Sequence, residues 1–155
     1  MRRFLLDSPA AAAVAVGSRW RLDADESRHL LQVLRAEPGF TVALTDGRGT
    51  AATGRLAGRE GRLAVVEVPA VEPAAAETAP PHLVLACAVV KGKRFEFALE
   101  KAVELGAHRI VPLRTERSVV DPRAGKQERW RGLLTTALKQ SGRCWLPELA
   151  PVTSL

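Results

Sequence analysis

Two short clusters of charged and polar residues stand where they could do chemistry. Lys91-Gly92-Lys93-Arg94 brings three positive charges together directly after an apolar run, and Thr115-Glu116-Arg117-Ser118 follows a second apolar run. Ligands of open parallel sheets bind at the carboxyl ends of the strands, so both clusters are predicted to lie on one rim. Cations beside a helix N-terminus suit phosphate groups. A solvated run of charge is the alternative interpretation.

Two further clusters are carried by predicted helices. His29 and Arg35 flank one helix face, and Gln140-Ser141-Gly142-Arg143 ends a later helix. A solvated polar edge is the plain alternative for the first pair. An arginine at a helix C-terminus interacts favourably with the helix dipole whether or not it binds a ligand. Neither cluster establishes a site by itself.

Composition excludes several classes of protein. The chain has 155 residues, of which 46% are hydrophobic, and a formal net charge of +6. Its longest apolar runs, such as 83–90, are far shorter than the roughly 20 residues of a membrane helix. Cys87 and Cys144 lack metal-ligand spacing and predict reduced thiols in a cytoplasmic protein. The sequence has no glycine-rich phosphate loop, HExxH motif or nucleophile elbow, and its mild basicity favours a polyanionic partner only weakly.

The elements that must position these clusters are predicted to form two domains. The segment from Pro69 to Pro81 is rich in proline and alanine and has no apolar period, which is typical of an extended linker. We therefore predict a first domain over residues 1–70, a linker over 71–81 and a second domain over 82–155.

The first domain is predicted to be a small β-barrel with one inserted helix. Strand-like runs occupy 3–6, 18–22, 41–45, 50–57 and 63–68, and the acidic start and apolar spacing of 23–35 predict a helix. Asp46-Gly47 between two strand-like runs indicates a hairpin. Such barrels often bind RNA, but a fold alone does not decide function.

The second domain alternates strand and helix. The continuous apolar run 82–90 predicts a buried parallel strand. It is followed by a predicted helix over 94–105, a strand over 109–113 and an amphipathic helix over 127–141. This order implies a parallel sheet with right-handed crossovers. Only two or three strands are available, so one face and one edge should stay uncovered and the domain is expected to be incomplete. The predicted fold class is α+β followed by α/β.

Taken together, the motifs resemble the RsmE family, the bacterial small-subunit rRNA uridine N3-methyltransferases of the SPOUT superfamily. They occur in the family's order through the whole chain, and the set is specific although any one motif would be weak. The resemblance is carried by Arg2-Arg3-Phe4, His29-Leu30, Val33-Leu34-Arg35, Asp46-Gly47, Lys91-Gly92-Lys93-Arg94, Glu100-Lys101-Ala102-Val103-Glu104-Leu105-Gly106, Pro112, Thr115-Glu116-Arg117-Ser118, Arg129-Trp130, Ala137, Gln140-Ser141-Gly142-Arg143 and Pro147.

The resemblance implies an N-terminal PUA-like β-barrel that docks RNA, followed by the first half of a SPOUT methyltransferase domain with its trefoil knot. It also implies S-adenosylmethionine as cofactor, RNA of the small ribosomal subunit as partner, a target in the decoding region, and a homodimer. One departure is large. The family's cofactor pocket is formed mainly by glycine-rich loops of the C-terminal knot, and this sequence contains none. We therefore expect a fragment or a short form without that pocket.

The resemblance also suggests site residues. Glu116 and Arg117 are candidates for the rim of the active site, and the general base is not identified. The residues expected to contact RNA are Arg2, Arg3, His29, Arg35, Lys91, Lys93, Arg94 and Arg143. Two alternatives stay open: an RNA-binding module without catalytic activity, and a different knotted methyltransferase that acts on tRNA. The barrel-first order and the helix from Lys101 to Gly106 count against the second.

Overall fold

The computed structural model describes residues 1–6, 14–72, 82–116 and 124–155. The chain divides into two units, Met1–Thr78 and Ala79–Leu155, which we describe separately. The last strand of the first unit continues to Glu72, beyond the predicted start of the linker. Residues 73–81 lie outside the described part, so the linker and the exact domain limits stay predictions.

The first unit is a five-stranded sheet. Its strands are β1 Arg3–Leu5, β2 Arg19–Arg21, β3 Thr41–Thr45, β4 Ala51–Glu60 and β5 Leu63–Glu72. Its strand order is β1-β3-β4-β5-β2, with β1 parallel to β3 and all other pairs antiparallel. Register shifts between Thr53 and Arg55 and between Leu56 and Gly58 bend the long β4–β5 ribbon. The predicted barrel-like fold and the Asp46-Gly47 hairpin are confirmed.

Alternating side chains fill the core of this sheet. Val42 and Leu44 on β3 are buried, and Val42 lies opposite Gly54 on β4. A Cβ atom at Gly54 would lie only 2.5 Å from Leu44 Cδ1, so a residue without a side chain is needed at this position. Phe4 and Leu30 are also fully buried in this hydrophobic core.

The helix of the first unit lies between β2 and β3 in the chain. It begins as α1, Ala24–Arg28, with the Asp23 carboxylate accepting a hydrogen bond from the Glu26 backbone N–H at 2.7 Å. It then widens into one π-helical turn, His29–Val33. The buried Ser27 hydroxyl donates to the Leu22 carbonyl at 3.1 Å and accepts from the Ala64 N–H at 2.9 Å. Ser27 therefore fastens the helix to β5.

The second unit combines a parallel sheet with two helices. Its elements are β6 Val84–Ala88, α2 Arg94–Glu104, β7 Arg109–Arg114, α3 Ala124–Ser141, β8 Glu148–Leu149 and β9 Thr153–Ser154. The central strand of the sheet is β7. β6 pairs with β7 on one side, and β8 and β9 pair in turn along the other side of β7. The predicted alternation of strands and helices is confirmed. The short strands β8 and β9 lie on either side of Pro151 and together take the place of a third strand. None of the described helices is long and apolar enough to cross a membrane.

The prediction that run 82–90 is a buried strand is right about the strand and wrong about its burial. Val84 is 51% exposed, and Leu83 is 50% exposed. The strands follow one another across the sheet, so right-handed crossovers place α2 and α3 on the same face. β6 is thus an edge strand with one face uncovered by described residues, which explains the exposure of Val84. The expectation of an incomplete domain stays a prediction.

The C-terminal end of α2 is fastened by a distant arginine. Gly106 has a φ of 78°, which ends the helix where the sequence predicted. The Arg143 guanidinium donates from Nε and Nη2 to the Glu104 carbonyl oxygen, at 3.0 and 2.9 Å. These two bonds satisfy a carbonyl that the helix itself leaves without an amide partner.

Substitution of Gly54 by alanine should destabilise the first unit. The new methyl group would press on Leu44, which is almost fully buried and cannot yield freely, so we expect a loss of about 1–3 kcal/mol. The matched control is Gly132→Ala in α3, where a Cβ meets no atom within 4 Å; it should stabilise by roughly 0.5–1 kcal/mol. Thermal melts followed by circular dichroism measure both, and equal melts for Gly54→Ala and the parent would contradict the packing argument.

Replacing Arg143 by methionine should destabilise the second unit. Methionine keeps the apolar stem but removes both bonds to the Glu104 carbonyl, at a cost of about 1–2 kcal/mol. Arg131→Met is the control, since it removes only an exposed ion pair with Glu128 and should cost less than about 0.5 kcal/mol. Urea unfolding compares the two. Equal midpoints would mean that Arg143 does not fasten α2.

Candidate nucleic-acid interface

A cleft opens in the second unit where β6 leads into α2. Its volume is about 300 Å³, and its lining residues are Val89, Val90, Lys91, Gly92, Lys93, Phe95, Glu96, Lys126, Arg129 and Trp130. The Val89 N–H donates to the Leu113 carbonyl at 3.0 Å, which continues the pairing with β7 one residue beyond β6. Gly92, with a φ of 82°, then turns the chain into α2. The cleft therefore lies at the carboxyl edge of the sheet, as predicted for Lys91 and its neighbours.

Aromatic packing sets the floor of the cleft. Phe95 in the first turn of α2 and Trp130 in α3 are both buried, and their ring centroids lie 4.7 Å apart. This contact draws the N-terminal parts of the two helices together. The loop before α2 and the first turn of α3 consequently face the same space.

The charges around this floor are mostly positive. Lys91, Lys93 and Lys126 are exposed, and among the residues that the structure describes no ion pair or hydrogen bond engages their ammonium groups. The two remaining charges cancel, because Arg129 Nη2 lies 2.9 Å from Glu96 Oε2. Three uncompensated cations thus surround one small depression.

Lys101 shows what an engaged lysine looks like in the same helix. Its ammonium group donates to Glu104 at 2.7 Å and lies 3.4 Å from Glu100. The hydrogen bond to Glu104 raises the pKa of Lys101. The charge of Lys101 is therefore matched locally, whereas the charges of the cleft lysines are available to an anion.

Other residues predicted for the second unit lie around the cleft rather than in it. Arg94 opens α2 and is exposed, but it does not line the cleft. Glu116 is exposed two residues after β7 ends, at the same sheet edge as Lys91. Arg117 lies outside the described residues. The catalytic role suggested for Glu116 and Arg117 stays a prediction.

Arg143 stands apart from this group. Its guanidinium is bound to the C-terminal end of α2, whereas the cleft lies at the N-terminal end of the same helix. The geometry gives Arg143 a structural task, and its predicted contact with RNA gains no support from its position.

In the first unit, the predicted residues gather around β1 and the π-helical turn. The His29 ring lies 6.1 Å from the Phe4 ring, centroid to centroid, which brings the turn beside β1, whose first residue is Arg3 and which follows Arg2 directly. Arg35 follows the turn with a φ of 50°, the only positive φ outside glycine among the described residues. The amides on either side of it, of Leu34 and Ala36, donate to carbonyls of the turn. Arg35 is thereby held exposed in a left-handed conformation that a non-glycine residue seldom adopts.

Sequence reasoning missed Lys126 and Arg129. The helix was predicted to begin at Gln127, which left Lys126 outside it, and Arg129 was named only within the Arg129-Trp130 motif and not as a site residue. A signal was nevertheless present, because the first turn of α3 has no acidic residue and does contain Lys126. A cation there opposes the helix dipole, and a bound anion would offset this small cost.

Family models match most of the chain. Residues 77–155 match a model described as an RNA methyltransferase domain, and residues 22–68 match a model described as an RNA methyltransferase PUA domain. Among named relatives, ribosomal RNA small subunit methyltransferase E of Mycobacterium tuberculosis is 32% identical over 97% of this chain and 57% of its own length. The Synechocystis protein of the same name is 44% identical over 48% of this chain and 25% of its own length.

Solved structures agree with these matches. A ribosomal RNA small subunit methyltransferase E from Neisseria gonorrhoeae, bound to S-adenosyl methionine, superposes with a TM-score of 0.84 and 34% identity, over 99% of this chain and 63% of that one. A putative methyltransferase from Legionella pneumophila gives 0.82 and 27%, over 99% and 62%. The chain thus spans less than two thirds of the length of these relatives. Since the RNA methyltransferase model covers half of it, the chain belongs to the RNA methyltransferase family that includes the RsmE proteins, as its motifs predicted.

Proposed function

We propose that this chain serves in the S-adenosylmethionine-dependent methylation of uridine N3 in small-subunit ribosomal RNA. The observation that carries the proposal is the match of residues 77–155, which contain the basic cleft, to the RNA methyltransferase model. The names of the relatives supply the small subunit as the partner. A homodimer and a cytoplasmic location extend the proposal on the resemblance alone.

The chemistry of the target explains why a basic edge is useful. Uracil N3 carries a proton and is a poor nucleophile until that proton leaves. N3 also lies on the pairing edge of the base, so a paired uridine is out of reach and the RNA must be presented with the base unstacked. Holding the backbone on both sides of such a base is a task for cations, while contacts to the base select it. Lys91, Lys93 and Arg94 suit the first task.

Glu116 is proposed to stand near the reacting base. It follows β7 at the sheet edge that carries Lys91, and its exposed carboxylate is free to accept a hydrogen bond from a base N–H. We assign no general base, because the described residues hold no acid or histidine in the cleft other than Glu96, which is bound to Arg129.

The cleft does not fit the methyl donor. The sulfonium group of S-adenosylmethionine is a cation, and the three lysine ammonium groups would repel it. We therefore assign none of the described residues to the cofactor. The part of the reaction proposed for this chain is the binding and orientation of RNA.

The first unit is proposed to hold RNA that flanks the target. Residues 22–68 match the PUA model, and Arg2, Arg3, His29 and Arg35 are the proposed contacts. Since the relatives are named methyltransferases, we do not prefer the alternative of an RNA-binding module without a catalytic context.

Charge reversal should separate the proposed RNA surface from general basicity. Lys91, Lys93 and Arg94 changed together to glutamate should weaken RNA binding on the order of tenfold or more, because phosphate contacts and released counterions are lost. The control changes Arg55, Arg59 and Arg62, exposed on the β4–β5 ribbon, to glutamate and alters the net charge equally. Fluorescence anisotropy with a decoding-region RNA hairpin across a salt series measures both. Equal losses would show diffuse attraction and remove the site assignment.

S-adenosylmethionine alone should not bind the 155-residue chain with micromolar affinity, because the described cleft has the wrong sign of charge for a sulfonium. Isothermal titration calorimetry should give heats at the level of dilution. A control titration with single-stranded RNA on the same sample shows that the protein is active in binding. Micromolar affinity for the cofactor would contradict the charge argument and call for a site elsewhere in the chain.

A further inference from the structure

We propose that the cleft seats one phosphodiester of single-stranded RNA between Lys91, Lys93 and Lys126, with Arg129 held beside it by Glu96. The proposal rests on the proposed RNA function and deepens it, because it assigns a specific subsite and adds Lys126, Glu96 and Arg129 to the residues that contact or position RNA. The cleft, the charges and the helix geometry support it independently.

The first observation that supports the proposal is that lysines from two separate elements line the same cleft. Lys91 and Lys93 come from the loop after β6, and Lys126 comes from the first turn of α3, some thirty positions later in the chain. The Phe95–Trp130 contact brings these two elements together over one depression. Lysines scattered on a solvated surface would not be expected to surround a shared concavity with an apolar floor.

The second support is the cost of this arrangement without a ligand. Three ammonium groups that share a small cleft repel one another, and Lys126 also opposes the dipole of α3. A bound anion removes both penalties at once. The apolar floor formed by Phe95 and Trp130, with Val89 also in the lining, lowers the effective dielectric constant in the cleft, which strengthens the attraction between an anion and these cations.

The third support is the acid in the cleft. Glu96 has only 20% of its side chain exposed, and it lies 2.9 Å from the Arg129 guanidinium, whose side chain is 66% exposed. Glu96 therefore fixes Arg129 at the cleft wall while cancelling its charge. Among the described lining residues, the pair therefore leaves the charges of the three lysines without a partner.

The shape favours an RNA strand over a duplex. The cleft has a volume of about 300 Å³, at the lower end of ligand pockets. A flexible single strand can turn one phosphate into such a depression, and basic grooves are the usual means of holding single strands. Free inorganic phosphate shares this chemistry and is the alternative occupant that the experiment must separate.

The test compares Lys126→Glu with Arg131→Glu in the full chain. Both lie on α3, both change the charge by the same amount, and Arg131 does not line the cleft. Using fluorescence anisotropy with a labelled single-stranded RNA, we expect Lys126→Glu to weaken binding on the order of tenfold and Arg131→Glu by about twofold. An acid in the first turn favours the α3 dipole, so the melting temperature of Lys126→Glu should not fall, and lost binding cannot be attributed to unfolding.

Two further variants test the details. Lys126→Ala should lower the log–log salt slope of RNA binding by about 0.7, the value for one phosphate of a single strand. Glu96→Gln should tighten binding several-fold, because it keeps the side-chain shape while freeing the charge of Arg129. A weakened Glu96→Gln variant with an unchanged melting temperature would overturn the role given to this pair.

The outcomes distinguish the subsite from the proposed function. If the parent chain binds no RNA, both fail. If it binds RNA but the two charge reversals weaken binding equally, the subsite fails and the RNA function stands. If millimolar inorganic phosphate binds the parent but not Lys126→Glu, while Lys126→Glu binds the RNA as tightly as the parent does, the cleft is a free-phosphate site and the assignment to RNA is overturned.

Discussion

The parallel pairing of β6 with β7 is the constraint on which the second unit depends. Five register pairs, from Val84 with Arg109 to Ala88 with Leu113, align the strands so that both end at one edge. The Val89 N–H bond to the Leu113 carbonyl extends this alignment to the start of the basic loop. Because the strands run the same way, the connection between them must cross a face of the sheet as a helix. The basic loop, the start of α2 and the residues after β7 therefore lie at the same edge of the sheet.

The two helices are then held at opposite ends by different kinds of contact. At the N-terminal end of α2, the Phe95 and Trp130 rings pack and leave the polar ends of both helices around a depression. At its C-terminal end, Arg143 binds the Glu104 carbonyl. Apolar packing without a fixed direction leaves room for the cleft, whereas directional hydrogen bonds fix the end of α2 that lies away from it. As a result, the charged side chains of the cleft lie at the N-terminal end of α2, where a ligand can reach them.

Local patterns predicted most of the elements, and long-range geometry accounts for what they missed. β3 was predicted with its observed limits because its alternation and the following Asp46-Gly47 are local signals. The end of α2 at Gly106 was equally local. The exposure of β6 was missed because an apolar run carries no information about how many layers will cover it. The place of Lys126 in the cleft and the bonds of Arg143 to α2 were missed because each depends on residues far away in the chain. No rule of local spacing reveals such contacts.

The left-handed backbone at Arg35 has a consequence for how this position should vary among related sequences. The conformation costs an arginine about 1 kcal/mol, and glycine adopts it without that strain. Where stability alone governs, mutation should drift toward glycine or asparagine at this position. Where the guanidinium is used, purifying selection must retain arginine against that drift. The identity of one residue at the end of a π-helical turn therefore separates selection for folding from selection for charge.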